Sequence, residues 1–64
     1  MKVKYDKEVD ILYIQFSDKK IAESDEEKPG FILDYDNDGN LLWIEVLNAS
    51  KKMPQPMKFE YEAI

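Results

Sequence analysis

The 64-residue chain has no cysteine, no histidine and no arginine, and only two glycines and three prolines. Each gap excludes something. Without cysteine there is neither a disulfide framework nor a thiolate metal site, and the chain suits a reducing compartment. Without His or Cys the usual general base near neutral pH is missing, and without Arg there is no planar fork for bidentate phosphate or carboxylate recognition. A catalytic function is therefore not expected. No apolar run approaches the roughly 18 residues needed to cross a bilayer, and Met1-Lys2-Val3-Lys4-Tyr5-Asp6 turns polar at once. Neither a membrane helix nor a signal peptide is expected, and the cytoplasm is the expected location.

What is present is acidic. Nine lysines face fourteen Asp and Glu residues, a net charge of −5. Nucleic-acid binding depends mainly on neutralising phosphates with clustered Lys and Arg, so an acidic chain is not expected to bind DNA or RNA. A chain this short buries only about 60% of its unfolded surface, which makes a single copy marginally stable and, with no disulfide or metal, points to self-association.

The patterning is that of strands. Phe31, Leu33 and Tyr35 alternate with Ile32, Asp34 and Asp36, and Leu41, Trp43, Glu45 and Leu47 alternate with Leu42, Ile44 and Val46. Between these runs Asn37-Asp38-Gly39-Asn40 tolerates the positive φ of a tight hairpin. Upstream, Val3 and Tyr5 predict a short edge strand. Val9 to Phe16, apolar on both faces from Ile11 to Ile14, predicts a central strand covered on both sides: one face folds against the chain itself, and the other needs a helix or a second subunit. Ile21 to Lys28 decays into a charge run that predicts a solvated edge strand or loop, closed by Pro29-Gly30. Asn48 to Met53 carries two candidate N-caps and a lysine pair suited to a helix C-terminus, and Pro54 limits that helix to one or two turns.

The expected fold is mainly β: an antiparallel sheet of about five strands, near 2–6, 9–16, 20–26, 30–36 and 41–47, built on the central hairpin, with a short helical turn near 49–53. One small domain over 1–53 is followed by an extension over 54–64. There Phe59, Tyr61 and Ala63 alternate with Lys58, Glu60 and Glu62, leaving three fates open: a sixth strand, an arm added to a neighbouring sheet, or an end ordered only by a partner.

Two constellations bear on function. Asp34-Tyr35-Asp36-Asn37-Asp38-Gly39, followed by Glu45 at the twelfth position, fits the calcium-loop pattern, and three carboxylates two apart around a glycine can converge on a hard dication. The helices such a loop needs are absent, and the same letters make a hairpin turn. No metal or cofactor is therefore expected, with a cation site at Asp34, Asp36, Asp38 and Glu45 as the alternative. The second constellation is Glu23, Asp25, Glu26 and Glu27, an acidic patch able to occupy a cationic groove as phosphates would. Leu12, Ile14, Phe16, Trp43, Phe59 and Tyr61 are the expected self-association residues.

Taken in order, Tyr5-Asp6, Asp10-Ile11-Leu12-Tyr13-Ile14, Glu23, Pro29 to Asp36, Asp38-Gly39-Asn40-Leu41 and Ile44 to Lys51 resemble the small prokaryotic domain of unknown function 2283 family over about residues 3 to 53. The resemblance implies a small β-rich domain without established catalytic residues, some of whose members are suspected antitoxin-like partners of small toxins. The expected function is thus a non-catalytic interaction module that forms a homo-oligomer, in its most concrete form neutralising a basic protein.

Overall fold

The computed structural model describes residues 1–55 and 57–64. Five strands, β1 (Lys2–Asp6), β2 (Ile11–Gln15), β3 (Glu23–Lys28), β4 (Phe31–Tyr35) and β5 (Leu41–Leu47), form one antiparallel sheet in the order β1-β2-β5-β4-β3. A single turn of helix, α1 (Ala49–Lys52), follows. The mainly-β fold with a terminal helical turn is the one the alternation predicts, and the two strands with the weakest apolar patterns, β1 and β3, are the edges.

Two strand starts differ from expectation. β2 begins at Ile11 rather than Val9, because Asp10 adopts a left-handed conformation (φ 56°) and Val9 lies exposed in the turn. β3 begins at Glu23 rather than residue 20, although Ala22 N–H still donates to Tyr35 O at 2.8 Å. β2 is an interior strand, paired with β1 on one side and β5 on the other, and β5 lies at the middle of the sheet.

The turns follow their chemistry. Pro29-Gly30 joins β3 to β4 as a two-residue loop closed by the Lys28–Phe31 pair, with Gly30 at φ 83° where a side chain would be strained. In the β4–β5 hairpin only Gly39 takes positive φ; the loop is organised by Asp36, whose Oδ1 accepts from the Asp38 and Asn40 amides, each at 2.9 Å, and whose Oδ2 accepts from Asn40 Nδ2. These bonds hold the Asp36 carboxyl below its ordinary pKa.

Alternation gives the sheet two unlike faces. On the first, register aligns Val3 with Ile14 and Ile44, and Tyr5 with Leu12, Val46 and Phe31. Leu12, Val46 and Ala49 are buried there at the centre of the core, with Met53 and Met57 packed against them. α1 and the following chain cover this face.

The helix is too short to stand alone and is held from a distance. Asn48 takes a left-handed conformation and makes no side-chain cap. Asp10 supplies the cap instead: its backbone oxygen accepts from Ala49 N, its Oδ1 from Ser50 N at 3.0 Å, and its Oδ2 from Ser50 Oγ at 2.6 Å. Tyr5 Oη also donates to Asp10 Oδ1 at 2.6 Å. At the other end, Lys52 Nζ donates to Leu47 O and lies 5.2 Å from the Phe31 ring centroid. No strand forms among the described residues after Met53, and no helix among them is long and apolar enough to cross a membrane.

Candidate interaction surface

The second face carries the other half of each strand. Register aligns Lys4, Tyr13, Glu45, Ile32 and Glu26 in one row, Lys2, Gln15, Trp43, Asp34 and Ser24 in the next, and Ile11 with Leu47 beyond. Tyr13, Trp43, Ile11, Ile32 and Leu47 are all half-buried, as are Val3, Tyr5, Ile14 and Ile44 on the covered face, but the buried Leu12, Val46 and Ala49 lie on the covered face. α1 lies against the opposite side, so this face stays open. Tyr13 and Trp43 meet edge to face at 6.3 Å between centroids, interplanar angle 86°, an arrangement aromatic quadrupoles favour. Lys4 Nζ reaches inward from the β1 edge to 6.0 Å from the Tyr13 ring centroid.

Into this apolar strip is set a pair of acids. Asp34 is 1% exposed, shut in by its neighbours, and its Oδ1 accepts from Ser24 Oγ. Its Oδ2 has no hydrogen-bond donor among the amide and hydroxyl groups of the described residues. Glu45 lies diagonally across on β5: hydrogen bonding to Asp34, burial and the Asp34 charge, in that order, push the Glu45 carboxyl up to about 7. Burial beside a second carboxyl group thus favours the protonated form of Glu45.

The acids of the charge run do not form one patch. Every residue of β3 is exposed, but alternation sends Glu23 and Asp25 toward Tyr35 and Leu33 on the covered side, and Ser24 and Glu26 toward Asp34 and Ile32 on the open side. Burial raises the Tyr35 phenol pKa, with further contributions from Glu27, Asp25 and Glu23. Glu26 also accepts from Gly30 N at 3.0 Å, fixing the turn.

The other site candidates are dispersed. Leu12 is fully buried and Ile14 packs in the same core, so both belong to the chain's own interior and not to a surface a second copy can touch. Trp43 lies on the open face. Phe16, 46% exposed, lines a cleft of 500 Å³ with Met1 and Tyr61, beyond the end of the sheet, and Phe59 is exposed nearby in sequence. Asp34, Asp36, Asp38 and Glu45 do not converge: Asp36 spends its oxygens on the turn, Asp34 and Glu45 face each other on the sheet, and no group of three acids among the described residues could hold a metal ion.

Two clusters were not anticipated from sequence. The Tyr5–Asp10–Ser50 clasp joins residues 40 apart, and only the shared presence of Tyr5-Asp6, Asp10 and Ala49-Ser50 in one ordered motif set hinted at it. Its donors hold the Asp10 carboxyl below its ordinary range, led by the Ser50 side-chain bond and then Tyr5, which fits a fully occupied structural acceptor. The Asp34–Glu45 pair depends on strand register, which spacing alone does not provide.

Comparison with curated proteins and with solved structures finds no match for the chain. A family model described as "Protein of unknown function (DUF2283)" matches residues 2–50, which takes in the whole sheet and the start of α1. The chain belongs to that family.

Proposed function

We propose that the protein is a non-catalytic interaction module that docks through its open sheet face, and that the partner of this face is a second copy of the chain. The supporting observation is the inequality of the faces: one holds the buried Leu12, Val46 and Ala49 with Met53 and Met57 packed on it, while the other carries Tyr13, Trp43, Ile11, Ile32 and Leu47 without a buried apolar centre. A sheet is stable in water when its apolar face packs on another layer, and here the chain supplies one layer of the two. Five strands about 4.8 Å apart and five residues at about 3.3 Å give a face of roughly 400 Å² in plan. That is small beside the roughly 800 Å² per partner of a standard interface, so micromolar self-association is expected rather than an obligate assembly. Sedimentation velocity from micromolar to millimolar protein tests the reading: a concentration-dependent dimer supports it, and a monomer throughout refutes it. Trp43→Ala should weaken the dimer tenfold or more while leaving the strand signal intact, because Trp43 lies outside the Leu12–Val46–Ala49 core.

A second reading rests on β3, whose six residues are all exposed on an unpaired edge and include Glu23, Asp25, Glu26 and Glu27. An acidic edge strand offers both backbone groups and charge to a basic protein, the antitoxin-like role. Capture of a basic neighbour that is lost in Glu26→Lys/Glu27→Lys supports it.

A further inference from the structure

We propose that the Glu45 carboxyl is a pH switch for docking of the open face on a second copy: protonated, it lets the two apolar strips close on each other, and ionised, it holds them apart. This rests on the self-association just proposed and adds its regulation.

The argument starts from where Glu45 stands. β5 is third of five strands, and Glu45 is the middle residue of its open face. Tyr13 on β2 and Ile32 on β4 are its cross-strand partners, and Trp43 and Leu47 lie two residues away on either side along β5. A carboxyl is thus ringed by four of the five residues that make the face apolar. Docking that buries this strip necessarily buries Glu45.

The charged and titratable groups around it offer no counter-ion. On the open face, β1 carries Lys2, Lys4 and Asp6, β2 carries Tyr13, β4 carries Asp34 and β3 carries Glu26. Lys4 stands two strands away, its ammonium held 6.0 Å from the Tyr13 ring centroid. The neighbour of Glu45 is Asp34, 1% exposed, and the influences on Glu45 come from Asp34 and from burial.

A second copy brings no cation either. Face-to-face docking of like strips uses a two-fold axis lying in the plane of the contact. Run along β5, that axis sets Glu45 over Glu45 and Lys4 over Glu26; run across the strands through the same row, it sets Glu45 over Glu45 and Lys4 over Lys4. Either way two carboxyl groups meet where water is excluded. Two ionised carboxylates desolvated against each other are strongly unfavourable, whereas two protonated ones are neutral and can hydrogen-bond. Association therefore takes up protons and tightens as pH falls.

The magnitude follows from the Glu45 carboxyl's displacement to about 7. Each Glu45 that must be protonated on docking weakens association about tenfold between pH 6 and pH 8, and the two together about a hundredfold. The chain has no histidine and no cysteine, the side chains that ordinarily titrate nearest that interval.

The experiment is sedimentation of the 64-residue chain from micromolar to millimolar concentration at pH 6 and pH 8 and fixed ionic strength, with strand content followed by circular dichroism. Wild type should dimerise at pH 6 and weaken at pH 8 by between about tenfold and about a hundredfold. Glu45→Gln keeps a donor and loses the charge, so it should dimerise at pH 8 about as tightly as wild type at pH 6, with no dependence between the two. Glu8→Gln removes an equal charge from the exposed β1–β2 turn and should keep the wild-type dependence. A wild-type dimer equally tight at both pH values, a Glu45→Gln dimer that still weakens at pH 8, or loss of the dependence in Glu8→Gln overturns the switch alone. A wild-type chain that stays monomeric to millimolar concentration at both pH values overturns self-association itself.

Discussion

The Asp34–Glu45 pair makes a single residue the sharpest probe of this fold. Glu45 has a folded pKa of about 7 against an ordinary 4.5, so its protonated form is the one the fold favours. The stability it confers is fully present below about pH 4.5 and is lost as pH rises through about 7. Asp10 and Asp36 act in the opposite sense: hydrogen bonds lower both, so their contribution is present above pH 3.8 and lost as pH falls below it. The two trends place the stability maximum of the single chain near pH 5. Glu45→Gln retains a donor toward Asp34 and carries no charge, so it should flatten the melting temperature between pH 5 and 8. At pH 8 it should exceed wild type by about 2 kcal/mol, discounted for partial exposure, a rise of roughly 10 °C for a domain of this size. Thermal melts of dilute protein across that range check it. A wild type equally stable at pH 5 and pH 8 would show that the fold does not favour the protonated form of Glu45.

At the level of elements, the sheet was legible because strand alternation is local, while what fixes its neighbours was not. Phe31–Tyr35 and Leu41–Leu47 lie where alternation places them, and Pro29-Gly30 and Gly39 turn the chain as their chemistry demands. Asp10 reads as one more polar residue in an apolar strand, yet it is bent to φ 56° to serve a helix 40 residues away. The same limit hid the site. Asp34 reads as a turn or calcium-loop acid from its spacing to Asp36 and Asp38, and only the pairing of Asp34 with Trp43 and of Ile32 with Glu45 shows its true neighbour. Apolar residues on both sides of Ile11 to Ile14 announced two buried faces without saying which the chain itself would cover; Leu12 and Ile14 took that place, and Ile11 and Tyr13 did not. The dependence of α1 on Asp10 carries its own prediction. Asp10→Ala removes acceptors for Tyr5 Oη, Ser50 N and Ser50 Oγ together, and should lower the melting temperature by loosening α1. Hydrogen exchange should show the Lys51 and Met53 amides, which bond back to Asn48 and Ala49, losing protection before those of β5. Uniform loss across the molecule would mean that helix and sheet open as one unit.

At the scale of the whole molecule, charge separates the two partners considered for this chain by sign. Each copy carries −5, so two copies that dock through their apolar faces repel at long range. Raising ionic strength from about 0.01 M to about 0.15 M shortens the Debye length from about 30 Å to about 8 Å, which screens the long-range repulsion and leaves apolar contact unscreened. Self-association should therefore tighten over that interval. A basic partner docking on the exposed acids of β3 is drawn by the same net charge, so its association should slow steeply over the interval, and more so in wild type than in Glu26→Lys/Glu27→Lys. Sedimentation of the isolated chain and stopped-flow binding of any captured partner, each at the two salt concentrations, read the two signs directly. A dimer that weakens as salt is added would mean that its charges face solvent instead of being enclosed between the sheets, and would move the contact from the Tyr13–Trp43 face to the exposed edge at β3.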